Sequence, residues 1–422
     1  MNSRERVVET LNHRPTDRVA IDLGATNATG IHALVYRELK KRLGIRGGEI
    51  RVFDIIAQLA EVEPEVLDRL GGDVVMVRKL APSLGIPIRG WKPGRLTDGT
   101  EATVADSYDP VANERGDLEI FALGNGEDQI HPFRRNEPPG RYLRGRVLAR
   151  CPAGSHAFCR VLHPLEGVDS IAALDEFGFP ELTDEEIAFS AGEARRLQET
   201  TDKAVCGIFN GSVFETGQLY WGYEDYFVRM ATDPDFTAEF LRRRTRAYRR
   251  DLERYLEAVG PYIQVIDFWD DLGTQSSLLI SPKMYREMIK PHHAALFGYV
   301  REKFPDVKVF FHSCGAISDL LPDLVEIGVQ VLNPVQITAA GMDPAGLKKR
   351  FGSALSFWGG GVDTQYTLNG GTPDGVRKLA AEMLGIFAPG GGYVFSQVHN
   401  IESCVPAANV LAAFETAKSW RV

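Results

Sequence analysis

The feature that most constrains this chain is a regular alternation of short apolar runs with amphipathic helical stretches, sustained from about residue 185 to its end. A helical stretch to residue 199 leads into the apolar run 204–209, and helical stretches across 226–259 lead into 263–268. The same unit recurs as helix 282–304 with strand 307–311, helix 318–326 with strand 330–333, helix 344–351 with strand 355–358, and helix 373–387 with strand 393–395, before a closing helix at 407–420. Runs of this length, rich in β-branched and aromatic residues and bounded by turn formers, predict buried strands, and apolar residues at helical spacing predict the segments between them. The N-terminal part adds a helix carrying Val7, Val8 and Leu11, a strand at 19–23, a helix at 31–43 and a strand within LGGDVVMV at 70–77. Eight strands alternating with helices fit a closed α/β (β/α)8 barrel of the TIM type better than an open sheet.

Between 82 and 164 the rhythm changes to polar, Gly/Pro-rich sequence with short alternating runs near 119–122 and 145–149, which predicts an inserted β-hairpin region capping one end of a single 1–422 barrel domain. An apolar content of 44% is enough for one large core, and a net charge of −9 without a Lys/Arg-rich run argues against a nucleic-acid partner. The N-terminus lacks the apolar segment of a signal peptide, and no stretch approaches the ~20 apolar residues of a membrane helix, so a cytoplasmic protein with no membrane partner is expected. Five scattered cysteines do not read as a disulfide framework; Cys151 and Cys159 are expected as a loop pair and Cys206 as a core residue. A homo-oligomer is left open.

Four consecutive strands end in the signatures FFHSCG, VLNPVQ, FWGGGVD and VFSQVHNI. In a parallel barrel all strand C-termini open on one face, so these signatures are expected to converge at one mouth. Within the first, His312 and Cys314 lie two apart in an extended segment and point the same way, which suits a shared zinc ion, with Gly315 letting the chain turn. A polar strand end with a buried cysteine is the alternative. His399, after the strand at 393–395, is the candidate third metal ligand, with helix capping or substrate binding as its alternative; Cys404 ranks below it. Two ligands from one strand end and a third from another, with a position open, is the pattern of a catalytic zinc site. Asp267, Asp270 and Asp271 in DFWDD, Glu215 in FNGSVFE, and Asp363 in GGGVD supply carboxylates for acid–base work or substrate contact. Glu215 and Asp271 are the candidate proton donors; Asp267, Tyr223, Asn333, Gln336 and Asp363 are the candidate substrate contacts. The run Gly359–Gly361 could approach an anion through its N–H groups.

Together these residues resemble the uroporphyrinogen decarboxylase superfamily, in its cobalamin-dependent (corrinoid) methyltransferase branch. The similarity rests on SRERVVETLNHRPTDRVAI, HPLEGVDSIAALDEFGFPEL, IDFWDDLGTQSSLLISPKMYREMIKPH, FFHSCGAISDLLPDLVEIGVQVLNPVQ, FWGGGVDTQYTL and VHNIESCVPAANVLAAFE, which extend over nearly the whole chain. The resemblance implies a (β/α)8 barrel, an H-x-C zinc motif at His312 and Cys314, and a distant third ligand. That ligand is often cysteine in the family, whereas Val398-His399-Asn400 occupies the equivalent turn here. The segment LGATNATGIHALVY lacks the arginine-rich motif of a porphyrinogen decarboxylase. One thiolate with two imidazoles makes a more Lewis-acidic zinc than a thiolate-rich set, which favours a leaving oxygen. The implied activity is transfer of a methyl group from a small, O-methyl-type donor to a corrinoid; with no D-x-H-x-x-G corrinoid motif in the chain, that cofactor is expected on a partner protein. Methyl transfer from methylcobalamin to a thiol or tetrahydrofolate, and a metal-free decarboxylase or lyase, are the alternatives.

Overall fold

The computed structural model describes residues 1–83, 85–95, 99–109, 163, 165–175 and 177–421, with the backbone of three short strands at 111–112, 118–120 and 146–148. Eight parallel strands form its centre: β1 (Ala20–Ile21), β2 (Val74–Met76), β3 (Ala204–Asn210), β4 (Val265–Trp269), β5 (Lys308–His312), β6 (Val331–Asn333), β7 (Ser356–Trp358) and β8 (Tyr393–Phe395). Ladders join β1 to β8 and then each strand to its predecessor down to β2. The eight expected strands are all present, with ends shifted by a residue or two, and the chain is a (β/α)8 barrel.

Closure between β1 and β2 is made by one residue. The Asp73 N–H donates to the Ile21 carbonyl at 2.7 Å and the Asp73 carbonyl accepts from Ala204 N at 2.8 Å, so the backbone just before β2 bonds to both neighbouring strands. The fully buried Asp73 carboxylate accepts from Ile21 N at 3.0 Å, from Arg6 at 2.8 Å and from both terminal nitrogens of Arg18 at 2.7 and 2.9 Å. Arg6 also pairs with Asp17 at 2.8 Å, which ties the helix Ser3–Leu11 to the seam. That helix is amphipathic, and its Val7 and Leu11 enter the barrel's inner core beneath Ala20, Val74, Ala204, Val265, Phe310, Val331, Trp358 and Val394. They plug the N-terminal end. A second apolar layer lies between strands and outer helices.

Strand period 2 then dictates what stands above the plug. Ala20, Val265, Phe310, Val331 and Val394 face inward, so the positions two residues further toward the mouth share that face. Those positions are Asp22, Asp267, His312, Asn333 and Ser396, all buried. The barrel axis therefore passes from apolar to polar towards the C-terminal end.

The helices follow their stop and start signals. Asp233 caps Pro234–Val259 by accepting from Phe236 N, with Pro at its first position, and so divides it from Tyr223–Thr232. The helix expected over 282–304 contains a π turn, Tyr285–Ile289, before Lys290–Lys303; Pro291 lacks an N–H for the normal ladder, and the wider turn accommodates it. The helix expected at 31–43 begins at Ala33 because Ile31 instead bridges Ile401 and the His32 side chain caps Leu34 N.

Beside the mouth, Trp91–Arg95 and Glu101–Ala105 form an antiparallel hairpin, as expected within 82–164. It is joined by Arg51–Asp54 and Leu59–Ala60, which the sequence pattern did not single out, into a four-stranded sheet. Strands 111–112, 118–120 and 146–148 form a separate antiparallel sheet. The rest of that expected insertion, including Cys151 and Cys159, lies outside the described residues. No helix among the described residues is long and apolar enough to cross a membrane.

Two predictions concern the barrel. Replacing Asp73 with alanine leaves Arg6 and Arg18 without their shared anion, and a loss of about 3–5 kcal/mol is expected in chemical unfolding. Burial pushes the Asp22 carboxyl up to about 6, against the bonds it accepts from Trp358 Nε1 and Ala25 N. A raised folded-state value means that stability is full below the ordinary value near 3.8 and is lost as pH rises to about 6. Relative to Asp22→Asn, the native chain should thus lose up to roughly 3 kcal/mol across that window, read from paired denaturation curves.

Candidate metal centre

The ligating atoms of His312, Cys314 and His399 lie within 4.8 Å of one another, the only such group of three or more His, Cys, Asp or Glu among the described residues. His312 ends β5 facing inward and is 2% exposed. Cys314 is two residues on, and its Sγ is 3.5 Å from His312 Nε2. His399 arrives from the loop after β8, three strands round the barrel, with its ring centroid 5.6 Å from that of His312.

The surroundings choose which nitrogen each histidine offers. Asn333 Nδ2 donates to the Trp358 carbonyl at 2.9 Å, which fixes the amide so that its Oδ1 faces His312 Nδ1 at 2.6 Å. Nδ1 must then carry the proton, leaving the Nε2 lone pair toward Cys314. His399 Nδ1 is likewise hydrogen-bonded to Asn400 Oδ1, leaving its Nε2 as the ligand atom. Trp269 stacks on the His312 ring at 4.2 Å and donates its indole N–H to Asp267 at 2.6 Å. Burial lowers the pKa of His312, favouring the neutral imidazole that metals require.

The turn carrying Cys314 is held from three sides. Its N–H donates to Asp271 Oδ1 at 2.7 Å, the next N–H donates to Gln336 Oε1 at 2.6 Å, and Gly315 has φ +91°. A Cβ at Gly315 would stand 2.5 Å from the Gly273 carbonyl, so glycine is required there by both conformation and space. Burial raises the Cys314 thiol well above its ordinary range, and the charges of Asp271 and Glu215 push the same way. A divalent cation would reverse that balance and release the proton.

This donor set fits zinc. Tetrahedral bonds of roughly 2.0–2.1 Å to nitrogen and 2.3 Å to sulfur imply N–S separations of about 3.6 Å, close to the 3.5 Å between His312 Nε2 and Cys314 Sγ. Cys404 is exposed and is not one of the grouped ligands.

The carboxylates divide by environment. Asp267 is fully buried and accepts from Phe209 N at 2.6 Å and Asn210 N at 3.0 Å as well as from Trp269. Asp270, also fully buried, accepts from Val213, Phe214 and Glu215 N–H groups at 2.7–2.9 Å and pairs with His293 at 2.7 Å. It anchors the first turn of Phe214–Trp221. That places Glu215 beside Asp271, and burial first, then the charges of Asp271 and Asp270, raise the Glu215 carboxyl well above its usual range. Tyr223 is 60% exposed; partial burial and then the Glu215 and Asp271 charges raise its hydroxyl pKa, so it borders the same acids.

Asn333, Gln336 and Asp363, the candidate substrate contacts, make hydrogen bonds within the protein. Asn333 orients His312, Gln336 holds the Cys314 turn, and Asp363 accepts from Tyr366 N at 2.7 Å and Thr367 N at 3.1 Å. Asp267 is engaged in the same way, for the reason given above. Gly359 and Gly361 donate to the Val394 and Ser396 carbonyls and are not available to an anion. Trp269 and Asn400 were not anticipated; the only sequence signal for them is adjacency to a strand end and to His399.

The family model for uroporphyrinogen decarboxylase (URO-D) matches residues 161–420. The chain belongs to the URO-D family. Among solved structures, a methyltransferase from Methanosarcina mazei is similar over 99% of this chain and 98% of its own, at 17% identity and a TM-score of 0.57, which places both in one fold. An endo-1,4-beta-xylanase from Caldicellulosiruptor owensensis matches over 58% of this chain and 84% of its own, at 11% identity and a TM-score of 0.34, too slight a likeness to bear on the architecture. No curated protein matches the sequence.

If these side chains hold zinc, His312→Ala should abolish stoichiometric binding in a chelator-competition titration. Asn333→Ala keeps every ligand but frees the His312 ring, and should weaken affinity roughly 10–100-fold. Wild-type affinity in both variants would exclude the site.

Proposed function

We propose that this URO-D family barrel is a zinc-dependent methyltransferase that moves a methyl group from a small O-methyl donor to the corrinoid of a partner protein. The observation that carries this reading is the company of the His312, Cys314 and His399 cluster: Glu215, whose carboxyl its surroundings raise well above the usual range, stands within electrostatic reach of Cys314. The full-length likeness to a protein called a methyltransferase supports the same class.

Zinc bound by the three side chains would supply Lewis acidity to an ether oxygen. Asn333 and Asn400 hold the two imidazoles with Nε2 forward, and Asp271 fixes the Cys314 backbone. Burial, and then the charges of Asp271 and Asp270, favour the protonated form of Glu215. Glu215 can then give that proton to the oxygen that loses its methyl group, so the donor leaves as a neutral alcohol or phenol. The methyl acceptor is the reduced corrinoid, brought as a second substrate to the open mouth. Tyr223, exposed beside Glu215, is placed to meet the donor.

The test is methyl transfer by zinc-loaded full chain from an aryl methyl ether to cob(I)alamin, followed by the cobalt absorption spectrum. Release of the phenol with loss of the cob(I)alamin spectrum is expected, and Glu215→Gln should slow turnover by roughly 10²–10⁴-fold with unchanged zinc content. Rapid demethylation of methylcobalamin by thiols or tetrahydrofolate, with no reaction of ethers, would reverse the direction. Unchanged activity of a metal-free His312→Ala variant would place the chain with metal-free lyases.

A further inference from the structure

A second cleft, of about 1140 Å³, opens between the ends of β2 and β3 and the helix Pro234–Val259. None of His312, Cys314 and His399 lines it. Its size is that of a small-molecule pocket, and its walls include Phe179, Phe209 and Tyr248.

Two cations face this cleft without a direct ion pair among the described residues; Asp251 acts on Arg244, and Asp267 and Glu186 on Lys79, only through their charge. Arg244 is 7% exposed, and its guanidinium lies 3.5 Å over the Tyr248 ring. Its Nε and Nη1 are buried and have no hydrogen-bond partner. Lys79 is half-buried and donates only to the Phe209 carbonyl, at 3.2 Å. Asn210 lines the same cleft at φ +73°, with its N–H donating to Asp267 and its Oδ1 buried and unpartnered.

Of the other arginines of the cleft, three pair with its own acids, Arg242 pairs with Glu239, and Arg246 is exposed. Arg89 pairs with Glu185, Arg243 with Asp175 and Arg250 with Glu181. Glu186 caps Thr183, and Asp251 accepts from Leu182 N at 3.1 Å. Arg244 and Lys79 are thus the non-exposed cations of the cleft that make no direct ion pair among the described residues. Buried guanidinium N–H groups without an acceptor are costly to the folded chain, and a ligand carboxylate in the cleft would supply one.

We infer that this cleft binds a small carboxylate with an apolar or aromatic body: the carboxylate meets Arg244 and Lys79, the body packs on Phe179, Phe209 and Tyr248, and a hydroxyl or amino group on the ligand donates to Asn210 Oδ1. The site requires no metal and stands independently of methyl transfer.

Titration calorimetry on the full chain with 4-hydroxybenzoate, 4-hydroxybenzyl alcohol and inorganic phosphate tests it. Saturable one-to-one binding of 4-hydroxybenzoate is expected, with the alcohol at least ~10-fold weaker for want of a charge-assisted bond. Phosphate binding as tightly as 4-hydroxybenzoate would replace the carboxylate by a phosphate ligand and overturn the stated class. Arg244→Gln and Lys79→Gln should each weaken binding by ~10-fold or more, whereas the exposed Arg246→Gln and the metal-site His312→Ala should not. Arg244→Met should also melt higher than wild type without ligand, since it removes a buried unpaired charge, so loss of binding is distinguishable from loss of fold. Absence of 4-hydroxybenzoate binding to the wild type, or binding that survives both Arg244→Gln and Lys79→Gln but fails in His312→Ala, would overturn the assignment.

Discussion

A parallel barrel has no free edges only if its first strand finds its second, and in this chain the two barrel strands involved are two and three residues long. Ladders that short cannot hold the seam alone. Asp73 completes it: its backbone bonds to both neighbouring strands and its carboxylate joins Ile21, Arg6 and Arg18. The seam and the plug helix thus share one buried anion. Everything at the mouth presupposes this closure, because strand ends converge only when the sheet curls fully round.

The mouth is built on a second use of buried polar atoms. Asp22, Asp267, Asp270, Asn333 and Gln336 each accept bonds from groups on another strand or loop. They place neighbouring chain segments in fixed relation, and the chemistry-bearing groups His312, Cys314 and Glu215 are carried on the segments so placed. A lone carboxylate at such depth would be costly; one accepting two or three N–H bonds is a structural anchor.

Much of the architecture was legible in the sequence. Apolar runs between helical stretches located all eight strands, and polar signatures at the ends of consecutive strands made His312 a mouth residue. His399 was legible only through convergence, since no local spacing links it to Cys314. The division of labour within DFWDD was not legible. Asp267, Asp270 and Asp271 differ by which distant amides they meet, a fact of tertiary contact that residue type does not encode. For the same reason the internal bonds of Asn333, Gln336 and Asp363 were not legible: sequence reports a polar group at a strand end, but not which lone pairs the fold engages. Arg244 was hidden differently, inside LRRRTRAYRR, where six arginines look like one solvated face although one of them turns inward.

The π turn at Tyr285–Ile289 and the seam at Asp73 concern how the barrel is held; the spread of His312, Cys314 and His399 from β5 to β8 concerns how long a bound metal ion would stay. An ion held by these three side chains is gripped by two arcs of the barrel wall that meet only in the folded state. The unfolded chain keeps no more than the His312 and Cys314 pair, a two-point chelate. Release then requires the segment after β8 to lift from the mouth, so the ion's residence time is a property of local opening rather than of bond strength alone.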